Sequence, residues 1–175
     1  LQGKTTTPAD LVKDLPGDNE AKAETIDNNL QHEIVKKMSS NPVYYGKLSE
    51  MLKKIIMQRK VAAMSYQEYL KQVVEMAEAI LHPEDNGDYP DEVKNSAARR
   101  ALFDYFEEDL ELTVDVDGAI RIAIRPAWKK NRQKQQKIRL AIYEKLLLHS
   151  YSKDKAEEET NQVFDIAQRQ EEYDA

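Results

Sequence analysis

The sequence predicts an all-α fold, an irregular bundle of about six or seven helices, and three observations predict it. Gly is only 5 and Pro only 6 in 175 residues, too few turn residues for a many-stranded sandwich or barrel. Apolar residues recur at three- and four-residue spacings along most of the chain. Residues that cap helices stand immediately before several of these stripes. One competing signal, a short alternation near residues 110–117, leaves room for a possible β-like segment.

Residues 1–17 carry Thr5-Thr6-Thr7-Pro8 and Pro16-Gly17 with little apolar periodicity, and read as a linker or frayed terminus. From Asp18 a helix is expected. Asp18 can accept from N–H groups that have no partner at a helix start, and Glu20 suits the positive end of the dipole. Ile26, Leu30, Ile34 and Met38 form its stripe. Asn41-Pro42 opens a second helix, with Pro at a position that loses no hydrogen bond. Tyr45, Leu48, Leu52 and Ile55 share its face, with Tyr44, Met51 and Ile56 alongside. Ser65 and Glu68 form a capping box for a third helix, and Met64 and Tyr69 stand at the two positions of a hydrophobic staple. Leu70, Val73, Val74, Ala77, Ile80 and Leu81 follow until His82-Pro83 stops it. A turn around 62–64 would make the second and third helices an antiparallel hairpin, with Tyr44, Tyr45, Leu48, Tyr66, Tyr69 and Leu70 as its packing residues.

Residues 83–95 hold two Pro, one Gly and five acidic side chains, an acidic loop and the best place for a sub-boundary. Asn95 or Ser96 caps the next helix, through Ala98, Ala101, Leu102, Tyr105 and Phe106. In residues 110–124, Leu110, Leu112, Val114 and Val116 alternate like a strand, whereas Ala119, Ile120, Ala123 and Ile124 are spaced like a helix. Gly118 weakens either pattern, and a helix ending before Pro126 is preferred. Ile138, Ala141, Ile142, Lys145 and Leu146 share one side of a further helix. Asp154 and Glu157 then suggest a capping box for a last one, through Val163, Phe164 and Ala167. The helices of 18–82 and of 96–175 are expected to pack as one domain.

The net charge is −6, so the average surface is not that of a nucleic-acid binder. The average conceals a pattern. Residues 84–118 hold 3 basic and 12 acidic side chains, residues 119–149 hold 9 and 1, and residues 150–175 hold 3 and 8. The bland reading is mutual neutralisation between helices, and it is favoured. The sharper reading is a binding face for a partner or DNA, carried by Arg121, Arg125, Trp128, Lys129, Lys130, Arg132, Lys134, Lys137 and Arg139. Trp128, the one Trp, can serve an interface or plug a helix junction after Pro126.

Catalytic signatures are missing. There is no Gly-rich phosphate loop, no nucleophile elbow, and no metal spacing among His32, His82 and His149. Carboxylate runs such as Glu107-Glu108-Asp109 point to different sides of a helix and read as solvated surface. Cys is 0, which excludes disulfides and thiolate sites and suits a reducing, cytoplasmic compartment. No apolar run approaches the ~18 residues of a membrane span. No secretory signal is seen, and the chain begins at Leu1, so a fragment of a longer intracellular protein is expected.

Several segments, in order, resemble one family. They are Asn41-Pro42-Val43-Tyr44-Tyr45, Leu48-Ser49-Glu50 and Ser65-Tyr66-Gln67-Glu68-Tyr69-Leu70. Then come the run from Asn95-Ser96 to Phe103-Asp104, Asp117-Gly118-Ala119-Ile120-Arg121, Trp128 with the basic residues and Asn131 after it, and a closing stretch from Gln168 to Tyr173. Together they resemble the C-terminal helical region of the R (restriction) subunit of type I restriction–modification enzymes, over roughly residues 20–173. The chain departs from the family pattern at Gly118, where the family has Glu, at Lys129-Lys130, where it has Arg-Gly, and at Lys134-Gln135, where it has Lys-Glu. The resemblance implies a parent that is an ATP-dependent, DNA-translocating endonuclease using ATP and Mg2+, whose nuclease and motor motifs lie outside this region. It implies a non-catalytic assembly domain without a cofactor of its own. Its partners would be the methyltransferase and specificity subunits, with duplex DNA present in the holoenzyme and no membrane. A DNA-contacting module built on residues 119–149 is the alternative.

Overall fold

A computed structural model describes residues 18–174, so the linker expected at 1–17 lies outside the described residues. Among the described residues there are nine α-helices, two 3-10 turns and no strand. They are α1 (Asn19–Met38), α2 (Pro42–Lys60), α3 (Tyr66–Leu81), α4 (Pro83–Asn86), α5 (Asp91–Lys94), α6 (Ala97–Tyr105), α7 (Leu110–Ala123), α8 (Arg132–Leu148) and α9 (Lys153–Gln168). Seven of them are nine residues or longer; α4 and α5 are single turns inside the acidic segment expected to be a plain loop. The chain divides into two compact units. Of the described residues, 18–38 with 44–88 form one, and 39–43 with 89–174 form the other. The division at 88/89 falls within the acidic segment.

In the first unit the expected stripes meet. Ala23, Ile26, Leu30 and Ile34 of α1, Tyr45, Leu48, Leu52 and Ile55 of α2, and Tyr69, Val73, Met76, Ala77 and Ile80 of α3 make its core. Asp18 Oδ1 accepts from the Ala21 N–H at 2.9 Å, and Ser65 Oγ from the Glu68 N–H at 3.1 Å. Proline gives the hairpin a second tie. Pro83 has no N–H, so it cannot bond to the Ala79 carbonyl one turn back. The Tyr44 hydroxyl donates to that carbonyl instead, at 2.9 Å, and Lys37 Nζ donates to the Ile80 carbonyl at 3.1 Å. α2 ends in a paired turn: the Ala62 N–H bonds the Arg59 carbonyl and the Ala63 N–H bonds the Gln58 carbonyl. That pattern places its pivot in the left-handed region, usually as Gly. With so few Gly in the chain, the pivot is Ala62, at φ 54°.

In the second unit, Ala98, Ala101 and Leu102 of α6, Leu112, Val116 and Ile120 of α7, Ile138, Ile142 and Leu146 of α8, and Ala156, Val163, Phe164 and Ala167 of α9 build the core. The β-like reading of 110–117 is corrected: these residues are helical. Asp109 Oδ1 caps the helix by accepting from the Leu112 N–H at 3.0 Å. Leu112, Val116 and Ile120 then recur every four residues, with Thr113 and Asp117 beside them, so the buried face has helical period. Gly118 sits mid-helix, and a Cβ built there meets nothing within 4 Å. Gly118→Ala is therefore expected to stabilise the chain by about 0.8–1 kcal/mol through propensity alone. A higher urea midpoint with unchanged slope would bear this out; a lower midpoint would reveal a close neighbour. The start of α9 is also corrected. Ser152, not Asp154, is its cap, accepting from the Lys155 N–H at 3.3 Å, and Asp154 lies inside the first turn.

Candidate functional site

Each unit is organised around a buried carboxylate that no motif announced. In the first, Asp27 of α1 is 6 % exposed. Its Oδ1 accepts from the Tyr69 hydroxyl of α3 at 2.7 Å, and its Oδ2 from Arg59 Nη2 of α2 at 2.8 Å. Arg59 Nη1 reaches Glu20 at 2.6 Å, and its guanidinium lies 5.4 Å from the centre of the Tyr69 ring. One carboxylate thus ties three helices. Burial, then the hydrogen bond to the Asp27 carboxylate and its negative charge, raise the Tyr69 hydroxyl far above its ordinary range.

The second unit repeats the chemistry. The Asp117 carboxylate is fully buried. It accepts from Arg99 Nε at 2.7 Å, Arg121 Nε at 2.8 Å and the Tyr173 hydroxyl at 2.7 Å. Arg121 extends to Glu172 at 3.0 Å and lies 5.2 Å from the centre of the Tyr173 ring. Glu172 accepts from Ser96 Oγ at 2.7 Å and the Ala98 N–H at 3.2 Å, at the start of α6. Burial pushes the Asp117 carboxyl up, but hydrogen bonds from Arg121, Arg99 and Tyr173 outweigh it and hold it below the usual carboxylate range. The same balance, between burial and donation from Ser96, Arg121 and backbone N–H groups, lowers Glu172. Tyr173 moves the other way, raised by burial and the adjoining Asp117 charge.

These contacts place the candidate contact residues one by one. Trp128 is corrected as a surface contact. It is 1 % exposed, its Nε1 donates to the Tyr173 carbonyl at 2.6 Å, and its ring meets Phe164 edge-on at 5.8 Å. It plugs the junction after Pro126. Arg121 is committed to Asp117 and Glu172. Lys129 bonds the Gln170 carbonyl at 3.0 Å and pairs with Asp174. Arg125 Nη1 donates to the Ile122 and Ile124 carbonyls, at 2.7 and 2.6 Å. Lys134 Nζ reaches the Pro126 carbonyl at 2.6 Å. Arg139 bonds Asn161 at 2.6 Å and lies 3.8 Å from the centre of the Phe164 ring. Lys130, Arg132 and Lys137 are exposed. Of the hairpin residues, Tyr45, Leu48 and Tyr69 are buried, while Tyr44, Tyr66 and Leu70 are half-buried against the same core.

Part of the basic block is thus neutralised internally, as the bland reading expected. Lys145 and His149 also meet Asp115, at 3.8 and 3.0 Å. The first unit carries a groove of about 720 Å³ between α2 and α3, floored by Leu48, Ile55 and Met76 and edged by Met51 and Lys54. Among the described residues, no group of three or more His, Asp or Glu could hold a metal ion. No helix among them is long and apolar enough to cross a membrane. Comparisons with protein-family models, curated proteins and solved structures return no match.

The sequence reading missed Asp27 and Arg59, and it gave no role to Gln170. A signal for Asp27 was present: it adjoins Ile26 on the α1 stripe, one turn from Ala23 and Leu30, where a carboxylate survives only with partners. Gln170 is buried, and its amide nitrogen donates to the Ser40 carbonyl at 2.7 Å, a contact across 130 residues of chain that no local pattern encodes.

Proposed function

We propose that this chain is the C-terminal helical assembly domain of a type I restriction enzyme R subunit. In that role it docks the ATP-dependent DNA translocase and endonuclease onto the methyltransferase–specificity core, without catalysis of its own. One observation supports the reading above the others. Within the second unit, the separate segments that carry the resemblance come together in space. Asn41 opens the first and Asp104 closes a later one, and they bond at 2.6 Å. Asp117 and Arg121 bond each other; Arg121 bonds Glu172 and Asp117 bonds Tyr173 of the closing segment; Trp128 bonds the Tyr173 backbone. In the first unit, Tyr44 of the opening segment caps α3, and Ser65 caps the start of the same helix. In the second unit these bonds link the segments to one another, and in the first they hold the two ends of α3. Their residues build the fold, which leaves the outer helix surfaces for partners.

The test is assembly. The chain is expected to co-purify with a methyltransferase–specificity core, and an R subunit lacking it should fail to join that core. An R subunit that assembles normally without the region, with no binding by the region itself, would overturn the reading.

A further inference from the structure

We infer a second interaction surface, the junction between α7 and α8 and the first two turns of α8, built to take the phosphate backbone of a nucleic-acid duplex. Residues 125–139 hold seven cations and no carboxylate. Of these seven, Lys129 alone makes an ion pair among the described residues. Arg125 and Lys134 spend hydrogen bonds on backbone carbonyls, which fix the junction and leave their charge uncompensated. Lys130, Arg132 and Lys137 are exposed. Toward Arg139 the surface changes sign: Asp154, Glu157 and Glu158 of α9 line an open groove beside it. The cationic area is thus confined to the junction and the start of α8.

What the stretch lacks selects the ligand. Within residues 125–139 the large apolar side chains, Trp128 and Ile138, are both buried, while the aliphatic Ile122 and Leu140 on either side are exposed. The stretch therefore presents no ring on which a single strand could stack and no aromatic anchor for a protein hot spot. Spaced cations without anchors are what backbone phosphates require, and such contacts position a duplex without reading its sequence. The chain's net −6 does not oppose this, because charges beyond about 8–10 Å are largely screened at physiological salt. The inference rests on surface charge and does not depend on the family reading.

The experiment uses the chain alone, with no methyltransferase core, so its outcome is separate from the assembly test. Binding of a labelled duplex of arbitrary sequence is followed by fluorescence anisotropy as salt is raised from about 50 mM. Affinity is expected to fall with salt, with a log–log slope of about −0.9 for each phosphate contacted. The variant K130E/R132E/K137E alters only exposed side chains and should keep the helical spectrum. It should bind at least about tenfold more weakly, with a slope shallower by about 3. A control, K36E/K53E/K60E in the first unit, should bind like the parent. No duplex binding at about 50 mM salt overturns the inference. So does equal binding by parent and junction variant, a single strand held as tightly as the duplex, or capture by anionic vesicles in place of the duplex.

Discussion

Trp128→Ala is expected to cost about 3–5 kcal/mol, the range for truncating a large aromatic in a core that cannot close over the cavity. The site has little room to relax. The ring is buried among core residues of the second unit and set edge-on against Phe164, while its Nε1 holds the Tyr173 carbonyl. Truncation leaves both a void and a buried acceptor with one donor fewer. Trp128→Phe keeps most of the volume and loses the donor, so about 1–2 kcal/mol is expected for it. Urea unfolding followed by far-ultraviolet circular dichroism measures both. A Trp128→Ala protein as stable as the parent, but with weakened partner or duplex binding, would restore the ring to the interface that the sequence left open.

The sequence made the long helices legible because each carries its own periodicity and often its own cap. Leu30 and Ile34, or Val73 and Ala77, announce a buried face from four residues of separation. Ser65 announces a start because its oxygen must meet an N–H three residues on. Signals failed where two local patterns competed. Leu110 to Val116 satisfies a period of two, but Leu112, Val116 and Ile120 satisfy 3.6 over a longer span, and the longer span decides. Ser152 and Asp154 both suit a cap, and the helix takes the earlier, which extends the face that buries Ala156, Thr160, Val163 and Ala167.

What no local pattern could reveal was the polar architecture. Asp27 meets Arg59 and Tyr69 across 32 and 42 residues, and Asp117 meets Tyr173 across 56. In sequence these are ordinary charged and aromatic residues. Burial selects them, because a carboxylate on a core face persists only if donors arrive from elsewhere in the chain. Asp117, Arg121, Trp128, Glu172 and Tyr173 all fall in segments that carry the resemblance, which gave no reason to group them: they bond one another. That bonding also explains the fate of the basic block. Arg121 and Lys129 belong to the polar network, so a sum over residues 119–149 overstates the charge left for a partner. Lys130, Arg132 and Lys137 remain at the surface.

Asp117→Ala should be the most damaging single change among the charged residues. Removing one partner of a buried pair costs about 3–5 kcal/mol, because the remaining charges keep their desolvation and lose their compensation. Here the lower end is expected, about 3 kcal/mol: Arg99 and Arg121 are 30 % and 40 % exposed, and water recovers part of their loss. Trp128 fluorescence, from the single Trp, reports the second unit directly. The pH dependence gives an independent reading. Asp117 and Glu172 have folded pKa values below their ordinary 3.8 and 4.5. A depressed carboxyl contributes stability that is fully present above the unfolded pKa and is lost as pH falls through the folded one. The parent should therefore weaken progressively below about pH 4, with Asp117 a principal source of the slope. Asp117→Asn removes that source and keeps the shape, so its stability should be lower at neutral pH and less sensitive to acid. Combining Asp117→Ala with Tyr173→Phe should cost less than the two changes separately, by more than about 0.5 kcal/mol, since both break the same bond. Strict additivity, with an unchanged acid slope, would mean that Asp117 is held by packing and not by its three donors.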